Sequence, residues 1–196
     1  GGVLYDSRKG VPGGVFCARE GVGADGHDYL EQAIENGAVA VISERPNPAE
    51  FSATWLHVGN ARDAMGLAAA QLEGNPSLRF PVVGVTGTNG KTTTTFLIHH
   101  LFETILRRAG LIGTIHYSTG GELKDSPHTT PESPDLQRLL GEMVANDCRG
   151  VAMEVSSHGS SQGRVKGVVF DVGFFTNLTQ DHLDYLGTMD IHYAAK

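Results

Sequence analysis

The stretch Pro81-Val82-Val83-Gly84-Val85-Thr86-Gly87-Thr88-Asn89-Gly90-Lys91-Thr92-Thr93 decides the fold. Its first half is a short apolar run of the kind that fills a strand buried on both faces. Its second half is a glycine-rich turn that leads into a helical pattern over 92–107. Strand, glycine turn and helix form the setting in which backbone N–H groups curl around phosphate oxygens and a helix N-terminus adds partial positive charge. In that setting Lys91 is placed to reach the β- and γ-phosphates of a nucleoside triphosphate, and the Thr92 hydroxyl to bind Mg²⁺. Gly87, Thr88, Asn89, Gly90 and Thr93 complete the loop. The general form of this loop has another glycine six residues before the lysine; Val85 stands there, so the loop is a variant. The structural alternative is a ligand-free strand–turn–helix, but Gly-Lys-Thr in this context has little other use.

Downstream, strands are expected over 111–115, 151–155 and 172–176. Between the first two, Ser133-Pro134-Asp135 has the pattern of a helix cap, a proline at the first helical position and an acidic first turn. Leu136, Leu139, Leu140, Met143 and Val144 follow at helical spacing. Upstream, strands are expected over 14–18, 38–43 and 55–58. Helices are expected over 26–36, closed by Gly37, and around Ala64, Met65, Ala68, Ala69 and Leu72, stopped by Gly74-Asn75-Pro76. Strands alternating with helices imply an α/β protein with a parallel sheet covered on both faces. The polar stretch with Pro76 and Pro81 divides a small α/β unit, 1–77, from a larger parallel-sheet unit, 78–196, that carries the phosphate loop.

Bulk properties narrow the function. A chain of 196 residues with 40% hydrophobic and 19% charged residues is globular, and its net charge of −7 disfavours nucleic acid or an anionic membrane surface as partner. A phosphorylated ligand must therefore be held by local groups. Cys17 and Cys148 have no metal spacing and fit a reducing cytosol. No apolar run reaches the roughly 20 residues that a membrane span needs. The chain opens without methionine and stops at Lys196 inside a helical pattern, so both ends are expected to be cut.

Three polar clusters fall at strand ends, where open α/β sheets build their sites. They are His128-Thr129-Thr130-Pro131-Glu132, Glu154-Val155-Ser156-Ser157-His158, and Thr176-Asn177-Leu178-Thr179-Gln180-Asp181-His182-Leu183-Asp184. Carboxylate and imidazole beside a triphosphate suggest metal ligation. A helix-entry loop for Thr129 and Thr130, and a satisfied loop histidine for His182, are the plain alternatives. Glu154 at the end of a buried strand is harder to explain structurally.

The loop over 87–94 resembles the ATP loop of the Mur ligases and of the folylpolyglutamate synthases. The segments Thr129-Thr130-Pro131-Glu132-Ser133, Met153-Glu154-Val155-Ser156-Ser157-His158-Gly159 and Phe175-Thr176-Asn177-Leu178 with Asp181-His182-Leu183-Asp184-Tyr185 narrow the likeness. So do Tyr5-Asp6-Ser7-Arg8 and Asp25-Gly26-His27. Together, and in family order along essentially the whole chain, they are similar to the MurE branch of the Mur ligase family.

That resemblance implies a reaction in which ATP phosphorylates the D-glutamate carboxylate of UDP-N-acetylmuramoyl-L-Ala-D-Glu. The amine of meso-diaminopimelate or L-lysine then displaces phosphate from the acyl phosphate. It implies two Mg²⁺ ions, with Thr92 and Glu154 on the first and His182 on the second, and a Lys196 carbamylated by CO₂ whose carbamate offers anionic oxygens. Lys91, Glu154, His182 and Lys196 are thereby the catalytic candidates. His128, Thr129, Thr130, Ser156, Gln162 and Arg164 match positions that hold the muramoyl-dipeptide, with His128 where the family often has Asn. Tyr5, Ser7 and Val22-Gly23-Ala24 match the uridine-diphosphate contacts. Ser160, Leu186 and the placement of Tyr193 depart from the family pattern, without touching an assigned residue. Family members are monomeric bacterial cytoplasmic enzymes and much longer; the rest of the central domain and a third, amino-acid-binding domain are absent from these 196 residues, so this piece alone is expected to be inactive. A folylpolyglutamate synthase-like ligase and a non-catalytic nucleotide-binding module are the competing readings.

Overall fold

The computed structural model describes residues 1–178 except 22, 49, 50 and 52. The chain forms two sheets. The first is parallel throughout, with strand order β1 (Val3–Leu4), β2 (Gly14–Cys17), β3 (Ala38–Ser43) and β4 (Thr54–His57). Alternation along its strands sends Phe16 and Val41 to one face, against Ala33 of helix α1 (Leu30–Glu35). Cys17 and Ile42 go to the other, against Ala61 and Met65 of α2 (Ala61–Leu72). Asn60 caps α2 by accepting a hydrogen bond from the Asp63 N–H at 2.9 Å. The 26–36 helix of the sequence reading is a 3-10 turn, Gly26–Tyr29, followed by α1. It closes at Gly37, whose φ of +100° favours glycine.

The second sheet has the order β10 (Val172–Phe175), β5 (Val82–Thr86), β9 (Val151–Glu154), β6 (Gly110–Ile112), β7 (His116–Thr119) and β8 (Lys124–Asp125). The first four strands are parallel, while β7 and β8 add an antiparallel edge, so the sheet is mixed. The strand expected over 111–115 stops at Ile112 because the chain turns there into β7. Helix α4 (Ser133–Ala145) covers one face with Leu136, Leu140 and Met143, which pack with Val82, Val151 and Met153. Helix α3 (Lys91–Leu106) lies against the other face, over β5, β6 and β9. Cover is partial: Leu97, Leu101 and Ile105 of α3 and Val172, Phe174 and Phe175 of the edge strand β10 are exposed.

One capping expectation is corrected. Helix α4 begins at Ser133 itself, after an extended Glu132. The Ser133 hydroxyl is buried and makes no hydrogen bond among the described residues, so it does not cap. The sheets meet where α2 packs on α4, and where the Tyr5 hydroxyl donates to Asp135 Oδ2 at 2.5 Å.

Candidate active site

Parallel register assembles the site. Val85 of β5 pairs with Glu154 of β9, and Thr86 pairs with Phe175 of β10. Ile112 of β6 pairs with Met153. Residues just beyond these pairs therefore emerge together at the C-terminal edge of the sheet: the 87–90 loop, Glu154, Gly113-Thr114 and Thr176-Asn177.

The loop turns through Gly87 at φ +135° and Gly90 at φ +84°, conformations that L side chains rarely adopt. At Gly87 a Cβ would also overlap the Thr176 hydroxyl. The loop is laced to the end of β10. Thr88 N–H donates to Asn177 O at 2.9 Å, Asn89 N–H to Asn177 Oδ1 at 3.0 Å, and Thr176 Oγ1 to Asn89 O at 2.7 Å. Lys91 opens α3, and its ammonium donates to the carbonyls of Gly87 (3.0 Å) and Thr88 (2.9 Å). It thus lies over the concavity of the loop.

Glu154 is fully buried. Its Oε2 accepts from the hydroxyls of Thr92 (3.1 Å) and Thr114 (3.0 Å), and its Oε1 from the Thr114 N–H at 2.9 Å. Among the described residues no cation pairs with it. A buried carboxylate flanked by a threonine hydroxyl at a helix N-terminus, beside a phosphate loop, is a set of hard oxygen donors suited to Mg²⁺. The approach is tight: a Cβ on Gly113 would lie 2.7 Å from Glu154 Oε1.

The substrate-side candidates gather next to this carboxylate. Thr129 and Thr114 share a hydroxyl contact of 3.1 Å. Thr130, 1% exposed, donates to Glu154 O at 3.1 Å and accepts from Ser156 N–H at 3.0 Å. Ser156 caps α5 (Ser157–Ser161) by accepting from Gly159 N–H at 3.0 Å. The His128 carbonyl is held by the hydroxyls of Tyr117 and Ser126. Arg164 donates to Thr130 O (2.9 Å) and to Gln162 Oε1 (3.0 and 2.8 Å).

In the first sheet, Tyr5, Ser7 and Ala24 line a cleft of about 580 Å³ with Arg19 and Gln32; Gly23 is outside its lining. Ser7 Oγ donates to Gln32 Oε1 at 2.5 Å. Burial, followed by the hydrogen bond to Asp135, pushes the Tyr5 phenol well above its usual range. Cys17, at the floor of the cleft, is pushed up to about 12 by burial and is inert as a nucleophile. Val22, His182 and Lys196 lie outside the described residues, as do Asp181 and Asp184.

Sequence reasoning missed Thr114, Arg19 and Arg62, and quoted Glu132 within a polar cluster without giving it a role. Thr114 carried a weak signal, a Gly-Thr pair just past a strand. Arg19 and Arg62 are joined to Glu132 by long-range ion pairs that no local pattern announces.

The model of the Mur ligase middle domain matches residues 85–196, and that of the Mur ligase family catalytic domain matches residues 1–73. A UDP-N-acetylmuramoyl-L-alanyl-D-glutamate–2,6-diaminopimelate ligase of Geobacter metallireducens is 50% identical over 199 aligned residues, covering 100% of this chain and 38% of that protein. A protein of the same name from Halalkalibacterium halodurans is 48% identical, covering 99% and 40%. A solved structure of a ligase of that name superposes with a TM-score of 0.84 at 32% identity, covering 99% of this chain and 39% of the other. The MurF ligase of Thermotoga maritima in complex with ADP superposes at 0.65 with 26% identity, covering 98% and 41%. The chain thus spans about 40% of the length of the curated relatives it matches.

Proposed function

The chain belongs to the Mur ligase family, and from that premise we propose that the complete protein is an ATP-dependent carboxylate–amine ligase adding meso-diaminopimelate to UDP-N-acetylmuramoyl-L-Ala-D-Glu. The observation that carries the reading is the buried Glu154 carboxylate joined to Thr92 at the mouth of the Lys91 loop. The names of the relatives favour diaminopimelate over L-lysine. The domain division is 1–77 for the nucleotide-sugar unit and 78–196 for the front of the ATP unit. The enzyme acts as a monomer in the bacterial cytoplasm; among the described residues no helix is long and apolar enough to cross a membrane.

The chemistry brings a carboxylate up to a triphosphate, anion against anion. The loop N–H groups and the Lys91 ammonium offset that repulsion and hold the γ-phosphoryl group in line. Thr92 and Glu154 would hold Mg²⁺, with His182 and carbamylated Lys196 serving a second ion. Bound there, the metal neutralises charge on the transferring phosphoryl oxygens. Thr114 keeps Glu154 aimed at Thr92. His128, Thr129, Thr130, Ser156, Gln162 and Arg164 orient the muramoyl-dipeptide so that its carboxylate faces the loop. Tyr5, Ser7, Val22, Gly23 and Ala24 would contact the uridine diphosphate, the first two from the cleft they line with Ala24.

ADP release by the complete protein tests this, with ATP, the UDP-N-acetylmuramoyl dipeptide and either diaminopimelate or L-lysine. Release that requires the nucleotide sugar and diaminopimelate is expected. Turnover driven by folate, or by ATP alone, would overturn it.

A further inference from the structure

The turn between β5 and α3 is short. Strand β5 ends at Thr86 and α3 begins at Lys91, so the four residues Gly87 to Gly90 make the whole loop. Where the general phosphate loop has its first glycine, this chain has Val85, which lies inside β5 and pairs with Glu154. Glycine conformations shape the two ends of the loop. Thr88 and Asn89 between them need another hold.

That hold comes from β10. Main-chain pairing continues as far as Thr176, whose N–H donates to Thr86 O at 2.9 Å. Beyond it side chains take over. Asn177 closes its carboxamide on the backbone of Asn89: Oδ1 accepts from the N–H at 3.0 Å, and Nδ2 donates to the carbonyl at 3.1 Å. Only this orientation of the amide satisfies both groups. The Thr176 hydroxyl has two carbonyls in reach, Asn89 O at 2.7 Å and Thr86 O at 3.2 Å, and the shorter contact takes its proton. Gly87 permits that approach, since a Cβ there would overlap the Thr176 hydroxyl. Tying down the sheet edge is met by the Thr176 N–H alone. Three side-chain bonds to the backbone of one residue fix a peptide plane as well.

The consequence is directional. The Asn89–Gly90 peptide is trans, so its C=O and N–H point to opposite sides. Two donors draw Asn89 O toward β10, and the Gly90 N–H therefore points away from it. The preceding carbonyls, Gly87 O and Thr88 O, are turned to the Lys91 ammonium. Helix α3 has no side-chain cap, and Thr94 N–H donates to Gly90 O at 3.0 Å. The N–H groups of Lys91, Thr92 and Thr93 come before that bond and have no partner within the helix. The Gly90 N–H precedes them in the chain, and β10 sets its direction.

We propose that Thr176 and Asn177 are positioning residues for phosphoryl transfer: by holding the Asn89–Gly90 peptide they aim the Gly90 N–H at a phosphate of ATP. This rests on the function proposed above. Both residues act through the loop backbone. A donor fixed in advance needs no reorganisation when the phosphates arrive.

The test measures ADP release by the complete protein, with ATP and nucleotide sugar varied separately, and Mg·ADP affinity by calorimetry. Asn177→Ala removes two hydrogen bonds from the Asn89 backbone. It should lower both kcat/KM for ATP and Mg·ADP affinity about tenfold, with KM for the nucleotide sugar within about twofold. Asn177→Asp keeps the acceptor but sets a carboxylate oxygen against the Asn89 carbonyl, and should lose at least as much. Thr176→Ser should keep both values within about threefold, and Thr176→Val, which matches threonine in shape, should not. If Asn177→Ala melts early, the Thr176 pair decides. Unchanged ATP kcat/KM and Mg·ADP affinity in Asn177→Ala and Thr176→Val, or a loss shared equally by the nucleotide sugar, overturns the role. Mg·ADP affinity needs no turnover, so the two readings fail separately. Variants that keep it while ADP release still depends on the nucleotide sugar remove this role alone. Variants that lose it while that dependence is absent keep the hold on the loop and remove the ligase reading.

Discussion

Among the described residues the Glu154 carboxylate is held by neutral donors alone, two threonine hydroxyls and one backbone N–H. Burying a charge with so little compensation costs stability, so it points to a functional demand. Glu154→Gln keeps the shape and removes the charge. It should cut ligase turnover about 10²-fold or more and raise the Mg²⁺ needed for half-maximal rate, with an unchanged or higher Tm. A variant with normal Mg²⁺ dependence would remove Glu154 from the metal site. Lys91→Ala should abolish ADP release while nucleotide-sugar affinity stays within about twofold, because its ammonium serves the phosphate loop alone; a parallel loss of sugar affinity, read by calorimetry, would contradict that. Cys17 gives a test independent of activity. Its thiol is 1% exposed and raised from 9.0 to about 12 by burial. The raised value stabilises the protonated folded form, so this contribution is whole below pH 9 and is lost as pH rises toward about 12. Native protein at pH 8 should therefore leave Cys17 unreacted with a disulfide reagent, and denaturant should release it.

At the scale of elements, α4 shows what a period conveys and what it omits. Leu136, Leu140 and Met143 announce a helix with one apolar face, and the helix is there. Gln137 on the same helix is fully buried with neither amide atom paired to the described protein, and Ser133 one turn earlier is likewise unpaired. A buried polar group without a partner costs about 1–3 kcal/mol. Gln137→Met, similar in volume, should raise the Tm by several degrees in a thermal melt; a fall would mean that the amide has partners that protein atoms do not supply. The long apolar strands and the two glycine-stopped helices were legible because period and punctuation act locally. The β7–β8 edge was not, since His116-Tyr117-Ser118-Thr119 is polar and has no strand pattern apart from its pairing with β6. Helix α5 escaped because Ser157-His158-Gly159-Ser160-Ser161 has poor helix propensity and forms only with the Ser156 cap and the packing of Gly159 on Thr130. The phosphate loop and Glu154 were visible as residues, but their juxtaposition depends on the Val85–Glu154 register, which is a tertiary fact.

Across the whole molecule, two sheets are tied together by polar contacts, Tyr5–Asp135 and the arginines around Glu132, and by the packing of α2 on α4. The residues described here include the proposed phosphate loop, the proposed metal carboxylate Glu154 and the proposed nucleotide-sugar contacts. They supply no recognised group for a diamino acid, and α3 and β10 leave Leu97, Leu101, Ile105, Phe174 and Phe175 exposed. Apolar area on that scale normally lies against more protein, and the curated relatives are about two and a half times as long as this chain. The 196-residue chain expressed by itself should therefore bind a hydrophobic dye more strongly than the complete protein. It should also release no ADP with nucleotide sugar, ATP and diaminopimelate together, even where it retains UDP binding. The two measurements separate the possibilities. Dye binding with retained UDP affinity and no turnover means that the nucleotide-sugar unit folds by itself and that catalysis needs the remaining length. Measurable turnover by the short chain would show instead that the amine is recognised within these residues.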